Sequence, residues 1–128
     1  MSFNSLIEFV RKFNLGIRSQ RLTRTPLMQK QYEDYKKGKD LHAHVMEKYL
    51  KHTDYNISLN MFPFDIESNV SHYLLWIRDN FKLDIDNYVN NYFNKKKAVI
   101  FTNPQEWKSI PSVTHHHIFV EEYTISKL

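Results

Sequence analysis

The spacing of the apolar residues divides the chain into two parts. In residues 1–52 they recur every three or four positions, as in Leu6, Val10 and Phe13, which is typical of helices that bury one side. From residue 53 onward they alternate with polar residues or form short unbroken runs, which is typical of strands. The pattern predicts one domain over residues 1–128, with a helical segment (1–52) followed by a sheet-forming segment (53–128).

Start and stop signals place three helices in the first segment. Ser5 and Glu8 have the spacing of a capping box, which predicts that the first helix begins after Ser5. Thr25 stands before a proline, a typical N-cap followed by proline at the first helical position, and Asp40 is a suitable cap for a third helix. Gly16 can adopt the left-handed conformation that ends the first helix.

The second segment predicts four strands and one helix. Residues 56–61 alternate between apolar and polar side chains, whereas residues 71–77 carry apolar side chains on both faces, as a central strand does. Residues 97–102 and 114–123 are predicted as the other two strands, and residues 84–94 as a helix. Because few helices separate the strands, this order favours an α+β fold, with a mainly antiparallel sheet and helices packed on it.

Composition narrows the class of protein. The chain has no cysteine, which excludes disulfides, thiolate metal sites and cysteine nucleophiles. It begins without a signal peptide and has no apolar run near the ~20 residues of a membrane span, so we expect a cytoplasmic protein that does not contact a membrane. The two glycines cannot form a glycine-rich phosphate loop, and we expect no cofactor.

Positive charge is clustered at three places in the sequence: Arg18, Arg21 and Arg24; Lys36, Lys37 and Lys39; and Lys95, Lys96 and Lys97. The net charge is +4, and Arg18, Arg21 and Arg24 lie within seven residues of each other. Such a patch can attract the phosphates of a nucleic acid or the surface of a partner protein. A solvated basic surface is the more common meaning of such a pattern, and the excess charge is too small to define a nucleic-acid-binding protein.

The most concentrated polar chemistry lies in the predicted last strand. Alternate side chains of a strand share a face, so His115 and His117 point the same way, about 6.5–7 Å apart along the strand. His72 lies in another predicted strand and shares its face with Leu74 and Trp76, where a half-buried imidazole requires a polar partner. A lone histidine here would most simply be structural, but three together could hold one phosphate or one metal ion. This site depends on the two strands being neighbours.

Four polar residues near the strand ends are candidate ligand-binding residues. Asn60 and Asn103 lie close before prolines, where each could shape a turn or orient a histidine. Lys108 and Ser109 precede the histidine strand and could contact a phosphate or face only water.

Three segments together resemble a known family. They are LNMFPF at 59–64, HYLLW at 72–76, and 101–120, which begins FTN and ends HHHIFV. They resemble the fungal N-acetylglucosamine-induced proteins, a domain of unknown function whose members carry an Asn-x-aromatic-Pro-aromatic stretch, a His before Val/Leu-Trp, and a Phe-x-Asn followed by Ser-Val and His-x-His-Val. The resemblance covers roughly half of the chain, from residue 59 onward, and implies no reaction.

The order of these motifs also resembles that of the histidine-triad and nucleotidyl-transferase-like proteins, which are α+β folds that bind nucleoside phosphates. In that family a histidine of the final motif attacks the α-phosphate and forms a nucleotidyl-histidine. By position, the resemblance makes His115 the first triad histidine and His117 the nucleophile. The third position, His or Gln in active relatives, is Phe119 here, which removes a group that could protonate the leaving group.

These observations support one leading hypothesis: a domain that binds a nucleotide or another phosphate-containing ligand at a degenerate histidine-triad-like site, with phosphate hydrolysis as an accompanying reaction. His117 would contact or attack phosphorus, and His115 and His72 would orient it or transfer protons. The ligand-binding residues would be Asn60, Asn103, Lys108 and Ser109.

Two alternatives remain open. The first is a non-enzymatic module with structural histidines, which binds protein or nucleic acid through Arg18, Arg21 and Arg24. The second, a zinc site formed by the three candidate histidines, is the least favoured, since no carboxylate accompanies them at a recognisable spacing.

Overall fold

The computed structural model describes residues 1–18, 20–94 and 96–122. The elements, in chain order, are α1 (Phe3–Asn14), α2 (Pro26–Lys36), α3 (Leu41–Tyr49), β1 (Tyr55–Leu59), β2 (Val70–Ile77), α4 (Ile85–Tyr92), β3 (Lys97–Phe101), a 3-10 turn (Gln105–Trp107) and β4 (Thr114–Glu121). The predicted α+β class is therefore confirmed, with the first three helices ahead of every strand. The predicted last strand extended to Tyr123, which lies outside the described residues.

Local sequence explains how most of the helices begin and end. The side chains of Thr25 and Asp40 cap α2 and α3, each accepting a hydrogen bond from the backbone N–H three residues later, at 3.2 and 3.1 Å. Gly16 has a φ of +88°, and the N–H of Ile17 reaches back to the carbonyl of Lys12 at 2.9 Å, which closes α1 in a Schellman motif.

The predicted capping box at the first helix is wrong. Ser2, not Ser5, is the N-cap of α1, and its hydroxyl accepts from the backbone N–H of Ser5 at 3.1 Å. The earlier start places Phe3 inside the helix, where its ring is buried in the core. Burial of a phenylalanine contributes more than the second hydrogen bond of a capping box, so packing determines where α1 begins.

The sheet has four strands in the order β1-β2-β4-β3, and each neighbouring pair is antiparallel. The two histidine-bearing strands, β2 and β4, are therefore neighbours and occupy the centre. Their register sets His72 opposite Phe119, Leu74 opposite His117, and Trp76 opposite His115, so that all of these side chains share one face.

Helices cover both faces of this sheet. On the face without His72, Val89 and Phe93, at the C-terminal half of α4, pack with Leu75 and Ile118 of the central strands. On the histidine face, α1 and α3 each contribute to a separate apolar cluster. The cluster of α1 consists of Phe3, Leu6, Val10, Phe64, Val70, Phe101 and Phe119. The cluster of α3 consists of Val45, Leu50, Trp76 and Val113. Within the described residues, no helix is both long enough and apolar enough to cross a membrane.

Candidate functional site: a histidine-lined cavity

A cavity of about 580 Å³ opens on the histidine face of the sheet. The sheet contributes His115, His117 and Trp76 to its lining, and residues 21–36, α3 and the turns after β1 and β3 form its other walls. Five of the seven predicted site residues line it: Asn60, Asn103, Ser109, His115 and His117.

His72 lies behind His117 and forms a direct hydrogen bond with it. Nε2 of His72 is 2.8 Å from Nδ1 of His117, and the two side chains are only 1% and 5% exposed. They meet because His117 is the diagonal neighbour of His72 on adjacent antiparallel strands, at a separation that long side chains can bridge. From the sequence these two histidines are expected to lie close together, and in the structure they are in direct contact.

The protons of this pair can be assigned from its surroundings. The backbone N–H of Phe64 donates to Nδ1 of His72 at 3.1 Å, and the side-chain amide nitrogen of Asn60 approaches the same atom at 3.5 Å. A backbone amide can only donate, so Nδ1 of His72 carries no proton, and a neutral His72 must carry its proton on Nε2. His72 therefore donates to Nδ1 of His117, and the proton of His117 lies on Nε2.

Asn103 completes this chain of hydrogen bonds at the cavity. The structure places its side-chain nitrogen, Nδ2, 3.1 Å from Nε2 of His117. Because Nε2 carries the proton, the amide oxygen of Asn103 must face the ring; the oxygen and nitrogen of an asparagine exchange places when the amide group turns over. The resulting order of donation is Phe64 N–H to His72, His72 to His117, and His117 to Asn103.

Burial keeps both rings of the pair neutral. Desolvation lowers the pKa of His72 to about 3, and the nearby charge of Arg24 acts in the same direction. The pKa of His117 is also well below its usual value, mainly because of burial and then because of the adjacent His72. Near neutral pH the pair is therefore an uncharged hydrogen-bonding unit.

His115 has a different environment on the same face. Its Nδ1 donates to the backbone carbonyl of Val113 at 2.8 Å, so Nε2 holds the lone pair of the neutral ring. Burial lowers the pKa of His115, the bond to Val113 opposes this, and the charge of Lys108 lowers it further. Nε2 of His115 has no hydrogen-bond partner among the described residues, and the ring packs on Trp76 with centroids 4.8 Å apart.

Arg24 enters the cavity as a cation without an acidic partner. Its Nε donates to the carbonyl of Phe62 at 2.6 Å, and its guanidinium lies over the ring of Tyr32 at 4.1 Å. No Asp or Glu among the described residues forms an ion pair with it. Burial lowers the pKa of Arg24, and the nearby Tyr32 and Glu33 partly oppose this. The sequence grouped Arg24 with Arg18 and Arg21, and no pattern indicated that Arg24 is half-buried whereas the other two are exposed.

The three arginines have different surroundings. Arg18 lies 3.8 Å from the carboxylate of Glu106, and Arg21 stacks over the ring of Trp107 at 4.8 Å. Arg21 and Arg24 line the cavity, whereas Arg18 does not.

Ser109 and Lys108, two other predicted ligand-binding residues, differ in their position relative to the cavity. The hydroxyl of Ser109 lines the cavity and is 2.6 Å from the phenol oxygen of Tyr32. Lys108 does not line the cavity. The cavity also includes His44, whose ring is hydrogen-bonded to the hydroxyl of Tyr35.

Asn60 has both of the roles considered for it. Its side-chain oxygen accepts from the backbone N–H of Phe62 at 2.9 Å and so shapes the turn that ends β1, two residues earlier than the sequence predicts. Its side-chain nitrogen points at His72.

The histidine contacts do not resemble a metal site. Within residues 1–18, 20–94 and 96–122, no three His, Asp or Glu side chains converge as metal ligands would. The nitrogens of His72 and His117 that face each other are already joined by a hydrogen bond.

Fold and site together define a small α+β protein with a buried histidine pair beside a ligand-sized cavity. Residues 37–121 match the model of a family described as "Protein of unknown function (DUF3605)", well over half of the chain, and the chain belongs to this family. A crystal structure of a protein named HTC1 is similar in fold, with a TM-score of 0.69 and 20% sequence identity over 97% of this chain and 89% of that chain. No match was found among curated proteins.

Proposed function

We propose that this protein binds a small phosphate-containing ligand, such as a nucleotide, in the histidine-lined cavity. The observation that carries the proposal is Arg24. A half-buried guanidinium is costly unless a negative group compensates it. Glu33 favours the charge of Arg24 only from a distance, because its ion pair is with Lys36 and not with Arg24. Arginine also offers a fork of donors that fits phosphate oxygens.

Two neutral hydrogen-bond donors line the same cavity as this cation. The Nε2–H of His117 and the hydroxyl of Ser109 both belong to the cavity lining, and Arg21 adds a second positive charge. The acidic residue of the lining, Glu33, is neutralised by Lys36 at 3.2 Å. The lining therefore favours an anion.

An aromatic region of the lining supports the narrower choice of a nucleotide. Tyr49 and Trp76 stack with their centroids 5.6 Å apart and their planes at 15°, and both rings line the cavity with Tyr35. Aromatic surface of this kind suits a planar ring such as a nucleobase. The motifs at 59–64 and 101–120 further support placement beside the fungal N-acetylglucosamine-induced proteins, and we propose a cytoplasmic location.

The proposal is tested by thermal unfolding with and without inorganic phosphate, adenosine monophosphate and adenosine diphosphate. A ligand at 100 times its Kd stabilises the folded state by about 2.7 kcal/mol, which for a domain of this size is a rise of several degrees in Tm. We expect such a rise for at least one of these ligands, and its loss in Arg24→Gln.

Arg18→Gln is the matched control, because it removes the same charge from outside the cavity. The ligand-induced shift is compared within each variant, so any change in the ligand-free Tm cancels. No shift from any of these compounds, or equal shifts in the two variants, would refute phosphate binding at Arg24. In that case the interaction module gains support, and steep salt dependence of nucleic-acid binding would identify its nucleic-acid form.

A further inference from the structure

Two histidines of the cavity differ in where they carry their proton. We propose that His115 is the proton-accepting residue of this cavity, and that His72 is a positioning residue that fixes His117 as a hydrogen-bond donor. This inference rests on the proposed function and assigns chemical roles to its residues. It differs from the motif resemblance, which makes His117 the reactive histidine.

His117 cannot act as a base or a nucleophile through the atom that meets the cavity. Its Nε2 carries the proton, because its Nδ1 accepts from His72 at 2.8 Å. To free Nε2, the proton would have to return to Nδ1, which would then face the N–H of His72. His72 cannot move its own proton from Nε2 to Nδ1 to relieve this clash, because its Nδ1 accepts from the backbone N–H of Phe64.

For the same reason His117 cannot serve as a general acid. If it released its Nε2 proton and took one from His72, His72 would be left with no proton on either nitrogen. An imidazolate in a buried site beside a backbone donor is far too costly at neutral pH. His117 is therefore restricted to donating one hydrogen bond from Nε2. Asn103 accepts that bond in this structure, and a bound phosphate oxygen would replace Asn103 or share the proton with it.

His115 meets the opposite requirement. Its Nδ1–H is anchored on the carbonyl of Val113, which orients the ring and leaves the Nε2 lone pair unpartnered. The indole nitrogen of Trp76 is the one fully buried side-chain nitrogen or oxygen without a partner in the described part of the chain. Nε2 of His115 also lacks a partner but is not among these fully buried atoms, so it retains some accessible surface. His115 itself lines the cavity.

The two rings are placed to act on one ligand. Their centroids are 5.9 Å apart on the same face of β4. A phosphate ester that accepts from His117 would thus lie beside Nε2 of His115. A base at that position can take a proton from a water molecule next to the phosphorus.

The corresponding reaction is hydrolysis of the ester. As the water O–H bond breaks, an N–H bond forms at Nε2 of His115, and the hydroxide oxygen attacks phosphorus. The P–O bond to the leaving alcohol breaks, and the alkoxide takes a proton from solvent. His115 then returns its proton to solvent, so that one water converts the ester into alcohol and phosphate.

The proton positions can be measured without any ligand. Long-range ¹H–¹⁵N correlation spectra distinguish imidazoles protonated at Nδ1 from those protonated at Nε2. We expect the Nε2–H form for His117 and the Nδ1–H form for His115. The opposite assignment at either residue overturns the inference, whatever the protein binds.

Two substitutions separate a positioning role for His72 from a merely structural one. In His72→Gln the amide oxygen can accept from Phe64 and the amide nitrogen can donate to His117, so we expect His117 to keep its Nε2–H form. In His72→Leu no donor faces Nδ1 of His117, and we expect the tautomer signals of His117 to shift towards a mixture. An unchanged His117 in the leucine variant, shown by its spectrum to be folded, would contradict the role of His72.

Reactivity with diethyl pyrocarbonate, which acylates unprotonated imidazole nitrogens, tests the free lone pair of His115. We expect the folded protein to be modified at His115 and at the exposed His52, whereas His72 and His117 react only after unfolding. Modification of His117 ahead of His115 would overturn the assignment. Protection of His115 by adenosine monophosphate or inorganic phosphate tests the proposed function instead, since the tautomers and the reactivity are properties of the ligand-free protein.

Discussion

Acidification to pH 5 is expected to destabilise this protein, and His72 accounts for a defined share of the loss. The folded state holds the pKa of His72 at about 3, whereas an unfolded histidine has a pKa of about 6.5. Protons therefore bind to the unfolded chain first, so stability is complete above about pH 6.5 and decreases as the pH falls towards 3.

The size of the effect follows from this difference. At pH 5 an unfolded histidine is almost fully protonated while His72 is not, which lowers the free energy of unfolding by about 2 kcal/mol relative to pH 7. His117, whose pKa is also lowered by burial, adds a loss of the same sign.

The assay is urea unfolding followed by tryptophan fluorescence at pH 7, 6 and 5 in wild type, His72→Gln and His52→Gln. The glutamine at position 72 cannot titrate, so the loss between pH 7 and 5 should be smaller in this variant by about 2 kcal/mol. His52 is exposed, and its replacement should leave the loss as in wild type. If wild type and His72→Gln lose the same free energy, the buried neutral state assigned to His72 is wrong.

Two further substitutions test the fold around the site. Phe119→Gln places an amide at a fully buried position beside His72, and we expect it to lower the free energy of unfolding by about 3 kcal/mol or more, measured by urea denaturation; an unchanged midpoint would show that this position tolerates polarity. Gly16→Ala adds a methyl group with no atom within 4 Å but forces alanine to a φ of +88°, so the cost should be the backbone term alone, about 1–2 kcal/mol; a neutral result would mean that α1 ends differently.

Much of the fold was predictable because its signals are local. Thr25 and Asp40 are caps whose partners lie three residues away, and the alternation of the strands depends only on neighbouring positions. The error at Ser5 arose where a long-range effect competes with a local one. Two serines could cap α1, and the burial of Phe3 against the sheet selects Ser2.

The site was only partly predictable. The face shared by His115 and His117 follows from strand geometry, but contact with His72 required β2 and β4 to be neighbours, which residue spacing does not determine. The inward turn of Arg24 depends on a carbonyl 38 residues away in the chain. The proton positions depend on a backbone N–H of Phe64, for which no sequence pattern exists.

The position of β4 within the sheet also has a consequence for how the chain folds. Among the described residues β4 is the last strand in chain order, yet it lies between β2 and β3 and joins the two halves of the sheet. Until it is present, β1 and β2 form only a hairpin, which has marginal stability in water.

The helices α1, α2 and α3 precede the sheet in the chain, so they can pack on it only after β4 has been synthesised. Phe3 and Leu6 of α1 pack in the same cluster as Phe119, and the cavity is not complete until His115 and His117 have emerged. Contacts between such distant parts of a chain slow folding, because closing a long loop costs conformational entropy before the contact can stabilise the folded state. We expect chains that stop before Thr114 to expose the apolar face of α1 and to aggregate, which makes β4 the element on which the productive synthesis of this protein depends.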